Sequence, residues 1–450
     1  MTEPRDTLWI KNPLAILADG AAGGIVIREG TIVELVAGGK SPATPAAVFD
    51  AGAHVVLPGL INTHHHFYQT LTRSVPPATD QELFDWLKTL YPIWARLTPE
   101  ALDTAATVAM AALLLSGCTT TTDHHYVFPP GLEHAIDIEV EAARRLGIRA
   151  VLTRGSMDRS RRHGGLPPDH VVQDEDTILA DSQRLVEAYH QRGPGAMTQI
   201  ALAPCSPFTV TPSLMKRTAE LAERLDVRLH THLAETEDET RYCAEIYGCR
   251  PLDYIEQCGW LSNRVWVAHG IHFSPEEMAR LAKAGVAIAH CPCSNQALAA
   301  GYCPVCELER AGVRVGLGVD GSASNQGSNL IREVYGAWLM QRGRYGAAKI
   351  SWRDALRWAT SGSASCIGRD DLGGIAVGKA ADLALFKLDE VSFAGYGDPL
   401  AALVHGGANR ADRVMVGGRW VVEDGAIPGL DIAGLVRRQQ AAARLLQAHA

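Results

Sequence analysis

Between Leu57 and Gly368 the chain alternates short apolar runs with longer amphipathic stretches, and that alternation restricts the fold more than any other feature. The runs VVLPGLINTH, TTTTDHH, IRAVLTRG, QIALAPCS, VRLHTHLAE, VWVAHG, VAIAHCP and VRVGLGVDG read as eight strands. Between them, ALDTAATVAMAALLLSG, HAIDIEVEAARRLG, SLMKRTAELAERLD and PEEMARLAKAG read as helices, each ending near Gly or Asp as a helix stop requires. Eight strands alternating with helices predict an α/β fold of the (β/α)8 TIM-barrel type. The segment from Gly321 to Trp358 is predicted mostly helical, and VRRQQAAARLLQAHA is predicted to be a further helix.

The two ends have another texture. LWIKNPLAIL, GGIVIREGTIVELVAGG and AHVVLPG are short alternating runs split by glycines, and KAADLALFKLDE and ADRVMVGGRWVVEDG repeat the pattern late in the chain. They predict one small, β-sandwich-like domain assembled from residues 1–57 and 371–430, with the barrel over 58–370 and a C-terminal helix over 431–450.

The 450 residues suffice for a barrel plus such a domain. A net charge of -8 without clustered Lys and Arg argues against a nucleic-acid surface. No run approaches 18 uninterrupted apolar residues, so no membrane span is expected, and MTEPRDTLWIKN lacks the apolar core of a secretory signal. The ten cysteines are scattered, which points to a reducing cytoplasm. Cys291, Cys293, Cys303 and Cys306 imitate a zinc pattern, but one pair ends a strand and the other sits in a loop, so all four are read as thiols.

In such a barrel, chemistry collects where the strands end, and nearly every reactive residue of this chain falls there. Strand alternation points His64 and His66 one way and His65 the other, and it also puts His230 and His232 on one face. Glu235 follows three residues after His232; VAHG brings His269, with His272 as a nearby competitor, and LGVDG brings Asp320. Histidines and an aspartate gathered from these four strand ends suit Zn²⁺, with Fe²⁺ as the alternative. A metal there would make hydroxide available at neutral pH, with Glu235 and His269 handling protons.

PGLINTHHH, HTHLAE, VAHG, HCPCSN and LGVDGSASN stand in the order and rough spacing of a known family. The chain resembles the amidohydrolase superfamily, in its branch of mononuclear-metal deaminases and triazine hydrolases, over nearly its whole length. The resemblance implies one zinc per subunit held by His64, His66, His232 and Asp320. It also implies Glu235 as proton shuttle to a ring nitrogen, with His269 and Asp320 activating the water. The absence of a motif for a bridging carboxylated lysine favours one metal over two. The reaction implied is hydrolytic deamination of an aminated aromatic heterocycle, a small-molecule substrate, by a protein that associates into dimers or larger homo-oligomers.

Within that branch Gln69 matches a glutamine that contacts the purine in guanine deaminases, and Trp86 resembles their aromatic wall. Where those enzymes carry an arginine, this chain has Cys205 and Ser206 in APCSPF. NTHHHFYQTLTR, TTTTDHHYVFP and APCSPF together look most like 8-oxoguanine deaminases, so 8-oxoguanine is the first expectation. Guanine, isoxanthopterin and hydroxylated triazines are the alternatives. Gln69, Trp86, Cys205 and His125 are the candidate substrate contacts, each of which also has a plain structural reading as a packed core side chain. A non-catalytic scaffold of the same fold is the competing class, disfavoured because every metal and acid/base position is filled.

Overall fold

The computed structural model describes residues 7–448. Eight parallel strands lie side by side in chain order: β1 Leu60–Asn62, β2 Cys118–His125, β3 Arg149–Ser156, β4 Thr198–Pro204, β5 Leu229–Leu233, β6 Val265–His269, β7 Ala287–His290 and β8 Arg314–Leu317. They form a nearly closed barrel, the arrangement the alternation predicts. Apart from Gln199 and Arg314, every residue of these strands is buried. This is why the strands read as continuous runs rather than as an in/out alternation.

The barrel closes at its C-terminal rim. The Thr63 amide donates to the Leu317 carbonyl at 3.0 Å, and the Asp320 amide donates to the His64 carbonyl at 3.0 Å. Asn62 Oδ1 accepts from the Val319 amide at 2.9 Å. The turn between β8 and Asp320 approaches β1 so closely that a Cβ on Gly318 would lie 2.9 Å from His64 Cβ and 3.1 Å from the Cys291 sulfur. Only glycine fits there.

One strand expectation needs correction. VVLPGLINTH, read as a single strand, is two: His54–Pro58 joins a small sheet and Leu60–Asn62 starts the barrel. Gly59 is the switch, donating to the Asp382 carbonyl at 2.8 Å while Leu60 turns to the Gly117 carbonyl at 3.0 Å. A continuous apolar run does not reveal which sheet its backbone amides will find. The long segment after Gly321 is helical only over Leu330–Tyr345 and from Trp352 onward; Gly321 to Asn329 is an irregular loop.

Two further sheets flank the barrel. One has four strands from the first fifty residues; the other has five, with Ala15–Ile16 and His54–Pro58 beside Leu383–Lys387, Arg413–Val416 and Arg419–Val422. They share an apolar core that includes Ile10, Ile25, Ile32, Val56, Leu383 and Met415. Helices cover the barrel, and their starts are written locally. Thr98 Oγ1 accepts from the Ala101 amide at 3.2 Å, and Pro99 occupies the first turn of Pro99–Leu115, where no donor is needed.

The small sheet is tied to the barrel by a buried ion pair. Arg149, at the start of β3, donates Nε and Nη2 to Asp382 at 3.1 and 2.9 Å, and Asp382 also accepts from the Gly417 amide at 2.8 Å. Removing one partner strands the other charge in a dry site. Asp382→Ala is therefore expected to destabilise the fold by about 3–5 kcal/mol, measured as a fall in the denaturant midpoint.

Candidate active site

The site gathers on the rim where β1 meets β8. His64 and His66 follow β1 in extended backbone, His232 lies on β5, and Asp320 stands three residues past β8. Each imidazole is fixed by a donor bond from its Nδ1. His66 donates to the His124 carbonyl at 2.7 Å, and His232 donates to the Cys205 carbonyl at 2.7 Å. His64 donates to His230 Nε2 at 2.8 Å, and His230 in turn donates its Nδ1–H to the Trp266 carbonyl at 2.8 Å while stacking on the indole at 4.4 Å.

With every Nδ1 committed, the three Nε2 lone pairs converge. His66 Nε2 and His232 Nε2 are 3.2 Å apart, and Asp320 Oδ1 lies 3.3 Å from both His64 Nε2 and His66 Nε2. His64 Nε2 is buried with no hydrogen-bond partner. Burial, with neighbouring imidazoles, lowers His232 to about 3 and holds His64 well below its usual range, so both stay neutral. Burial alone would push the Asp320 carboxyl up, but the His64 and His66 imidazoles, 3.3 Å from its Oδ1, hold it well below the usual carboxylate range. Facing lone pairs and one carboxylate oxygen need a shared positive centre, and the set of nitrogen and oxygen donors fits a divalent metal such as zinc.

Beside this cluster lie Glu235, two residues past β5, and His269, the last residue of β6. Glu235 Oε2 is 3.6 Å from His269 Nε2. His269 donates Nδ1–H to Asn295 Oδ1 at 2.9 Å, which leaves its Nε2 as an acceptor facing the carboxyl. Burial, and the charge of Asp320, raise the Glu235 carboxyl well above its usual range, so Glu235 holds the proton that His269 can accept. His269 and Asp320 have φ of 72° and 64°, and Ala234, before Glu235, has 53°. Three non-glycine residues in left-handed backbone at one rim are strain collected at a working site.

A narrow cavity opens onto these groups. Gln69 and Trp86 line it, as do Cys205 and Ser206. Gln69 Oε1 is a buried acceptor without a partner, and its amide occupies the space that a Cβ on residue 321 would fill, 1.9 Å away, so a side chain at 321 would displace the Gln69 amide. Burial pushes the Cys205 thiol up to about 12, which suits a packed neutral group rather than a nucleophile. Leu83, Leu87, Tyr91, Tyr126, Phe208 and Leu298 complete the wall. Sequence patterns missed these, because an aromatic or leucine on a helix reads as core. Ser294, which donates to Asp320 Oδ2, and Asn295 both lie in HCPCSN, where the cysteines drew attention instead.

A family model described as the amidohydrolase family matches residues 55–421. The chain belongs to that family. It is 61% identical over 442 residues to an 8-oxoguanine deaminase of Pseudomonas aeruginosa, covering 97% of this chain and 98% of that one. An isoxanthopterin deaminase of an unknown prokaryotic organism is 36% identical over 418 residues, 88% of this chain and 87% of that protein. Among solved structures, an atrazine chlorohydrolase from Arthrobacter aurescens TC1 complexed with zinc superposes with a TM-score of 0.90 at 34% identity, covering 97% and 100%. Solved structures similar to this amidohydrolase chain thus include one complexed with zinc.

One expectation about a histidine changes, and the choice of His269 over His272 agrees with the structure. His125 does not line the cavity: the alternation of β2 turns it outward, where Nε2 donates to the Val127 carbonyl at 2.8 Å and Nδ1 sits 3.2 Å from Glu139 Oε1. His272 is not at the site either, since its Nε2 donates to the Ala300 carbonyl at 2.9 Å. His65 turns away as expected, pairing with Ser328 Oγ at 3.1 Å. The ten cysteines are free thiols.

The His125 cluster is a second buried group behind the site. Asp123 Oδ1 accepts from the Phe67 amide at 2.6 Å, and both Asp123 and Glu139 are fully buried. Burial pushes the Glu139 carboxyl from its ordinary 4.5 up to about 8. The folded chain therefore keeps a proton that the unfolded chain loses from pH 4.5 upward. The stability this contributes is full below that pH and is lost as pH rises toward 8, at up to about 1.4 kcal/mol per pH unit. Glu139→Gln, whose amide can donate to the same His125 nitrogen, is expected to flatten that limb. Unfolding free energies of both proteins, taken from acid to mildly alkaline pH, measure it.

Proposed function

We propose that the chain is a metal-dependent aminohydrolase that converts 8-oxoguanine and water to urate and ammonia, with one zinc per subunit held by His64, His66, His232 and Asp320. The observation that carries this reading is the 61% identity, over 97% of the chain, to an 8-oxoguanine deaminase, in a barrel whose rim offers a complete donor set beside a protonated Glu235. Fe²⁺ is the alternative metal.

When bound, the metal supplies hydroxide at neutral pH by lowering the pKa of a water. The chain's own residues do the rest. The orphaned Gln69 Oε1 accepts a donor from the amidine edge of the base, and Trp86 with Tyr91 walls its face. Glu235 delivers its proton to the ring nitrogen next to the carbon that is attacked. His269 Nε2, held as an acceptor by Asn295, and Asp320 take the proton from the water. Glu235, left as a carboxylate, takes the water's proton back from His269 and Asp320 and gives it to the amine. The C–N bond breaks, ammonia leaves, and the adduct's hydroxyl becomes the carbonyl as its proton returns to Glu235 by way of Asp320. An amine is a poor leaving group, and the presence of an acid there favours deamination over loss of chloride.

Isoxanthopterin, the substrate named for a 36% identical relative, is the second reading, since it presents the same amino-amidine edge. Guanine and hydroxylated triazines follow, and a non-catalytic scaffold is the competing class. The division at residues 58 and 370 into barrel and composite β-domain is part of the same proposal, supported by sheets fed from both ends. So is a cytoplasmic homo-oligomer, which ten free thiols and the exposed Ile432 and Val436, one turn apart on the terminal helix, suit.

An ammonia-release screen over 8-oxoguanine, guanine, isoxanthopterin and hydroxylated triazines tests the reading. The expected result is fastest turnover of 8-oxoguanine, abolished by chelation and restored by zinc; undiminished turnover by metal-free protein would sink it. Glu235→Gln should keep its metal and lose about 10²–10⁴-fold in kcat, measured beside the metal content; full activity would remove Glu235 from the mechanism.

A further inference from the structure

Behind Glu235 stands a second carboxylate that the chemistry above does not use. Glu239 is fully buried, and its two oxygens are taken by consecutive backbone amides: Oε1 accepts from Ala234 N–H at 2.9 Å and Oε2 from Glu235 N–H at 3.0 Å. Glu239 is the third residue of the helix Glu237–Tyr247, whose cap, Thr236, accepts the Glu239 amide at 3.4 Å through Oγ1.

A glutamate at this position usually reaches back to the amide of the capping residue itself. Here it reaches past the cap, to the two residues before it. That reach matters because of what those residues are. Ala234 is held at φ 53°, a conformation unfavourable for a residue with a Cβ. Its carbonyl accepts from the amides of Ile271 and His272 at 2.8 and 3.0 Å, just beyond His269. The strained peptide therefore sits between the strand ends that carry Glu235 and His269, pulled one way by the β6 loop and clamped the other way by Glu239.

We infer that Glu239 is a positioning residue for the proton shuttle, a two-pronged clamp that fixes the Ala234–Glu235 backbone so that the Glu235 carboxyl faces His269 Nε2. The inference rests on the aminohydrolase reading given above. Without the clamp, Ala234 relaxes toward ordinary backbone and the Glu235 carboxyl swings out of line; a displacement near 1 Å at a reacting group is enough to lower a rate about 100-fold.

The test uses the zinc-loaded full chain and 8-oxoguanine. Glu239→Gln keeps the volume but turns a donor toward one of the two amides, and is expected to lower kcat about 10- to 100-fold with KM within about threefold, at unchanged metal content. Thr236→Ala removes the helix cap without touching either amide, and should leave kcat within about twofold. Placed on Glu235→Gln, Glu239→Gln should cause no further loss, because it acts only through the side chain already removed. A kcat for Glu239→Gln within twofold of wild type overturns the clamp. So does a loss that Thr236→Ala reproduces, one that tracks metal content, or one that multiplies onto Glu235→Gln. Those outcomes leave the aminohydrolase reading standing, whereas a zinc-loaded wild type inert toward every heterocycle overturns both.

Discussion

The hydrogen bond from the Asp320 amide to the His64 carbonyl, at 3.0 Å, is the joint on which the site depends. It closes the barrel between its first and last strands, which are separated by the whole length of the domain in sequence. The same bond sets the backbone of one candidate metal ligand against the backbone of another. Barrel closure and site assembly are one event, so a chain that has not brought β8 to β1 has no cluster. The close approach at Gly318 shows how little room the joint leaves.

From that joint the polarity of the site spreads by directional bonds. Each candidate imidazole donates outward through Nδ1, two of them to backbone carbonyls and His64 through His230 to a third. Such bonds fix both tautomer and ring orientation, and they make the ligands more basic toward a metal. Glu235 and His269 lie at the ends of β5 and β6, where desolvation keeps Glu235 protonated. The same burial that would be costly for an unpaired charge thus gives two carboxyls of one pocket opposite states, with Asp320 ionised and Glu235 neutral.

Much of this was legible in the sequence because the barrel ties chemistry to strand ends. Seven of the eight strand runs fall where they were read, and His64, His66, His232, Glu235, His269 and Asp320 meet at one rim. What could not be read has a physical pattern. VVLPGLINTH reads as one strand because apolarity marks burial, not hydrogen-bond partner. The side to which His125 turns is set by the pleat of β2, and that run of threonines and histidines has no apolar face to mark it. Glu239 and Asn295 escaped notice because residues that bond to the backbone or to another side chain of the site have no spacing of their own.

Gly321 carries the last consequence. Its missing side chain leaves the room into which the Gln69 amide reaches, one residue from Asp320. The orphaned Gln69 amide and the carboxylate of the histidine cluster are therefore held next to one another by one packing position. A side chain at residue 321 would displace Gln69, whereas Cys205, Ser206 and the aromatic wall face the cavity independently. The wall can change shape without moving Gln69, whereas a change at residue 321 moves Gln69 beside Asp320.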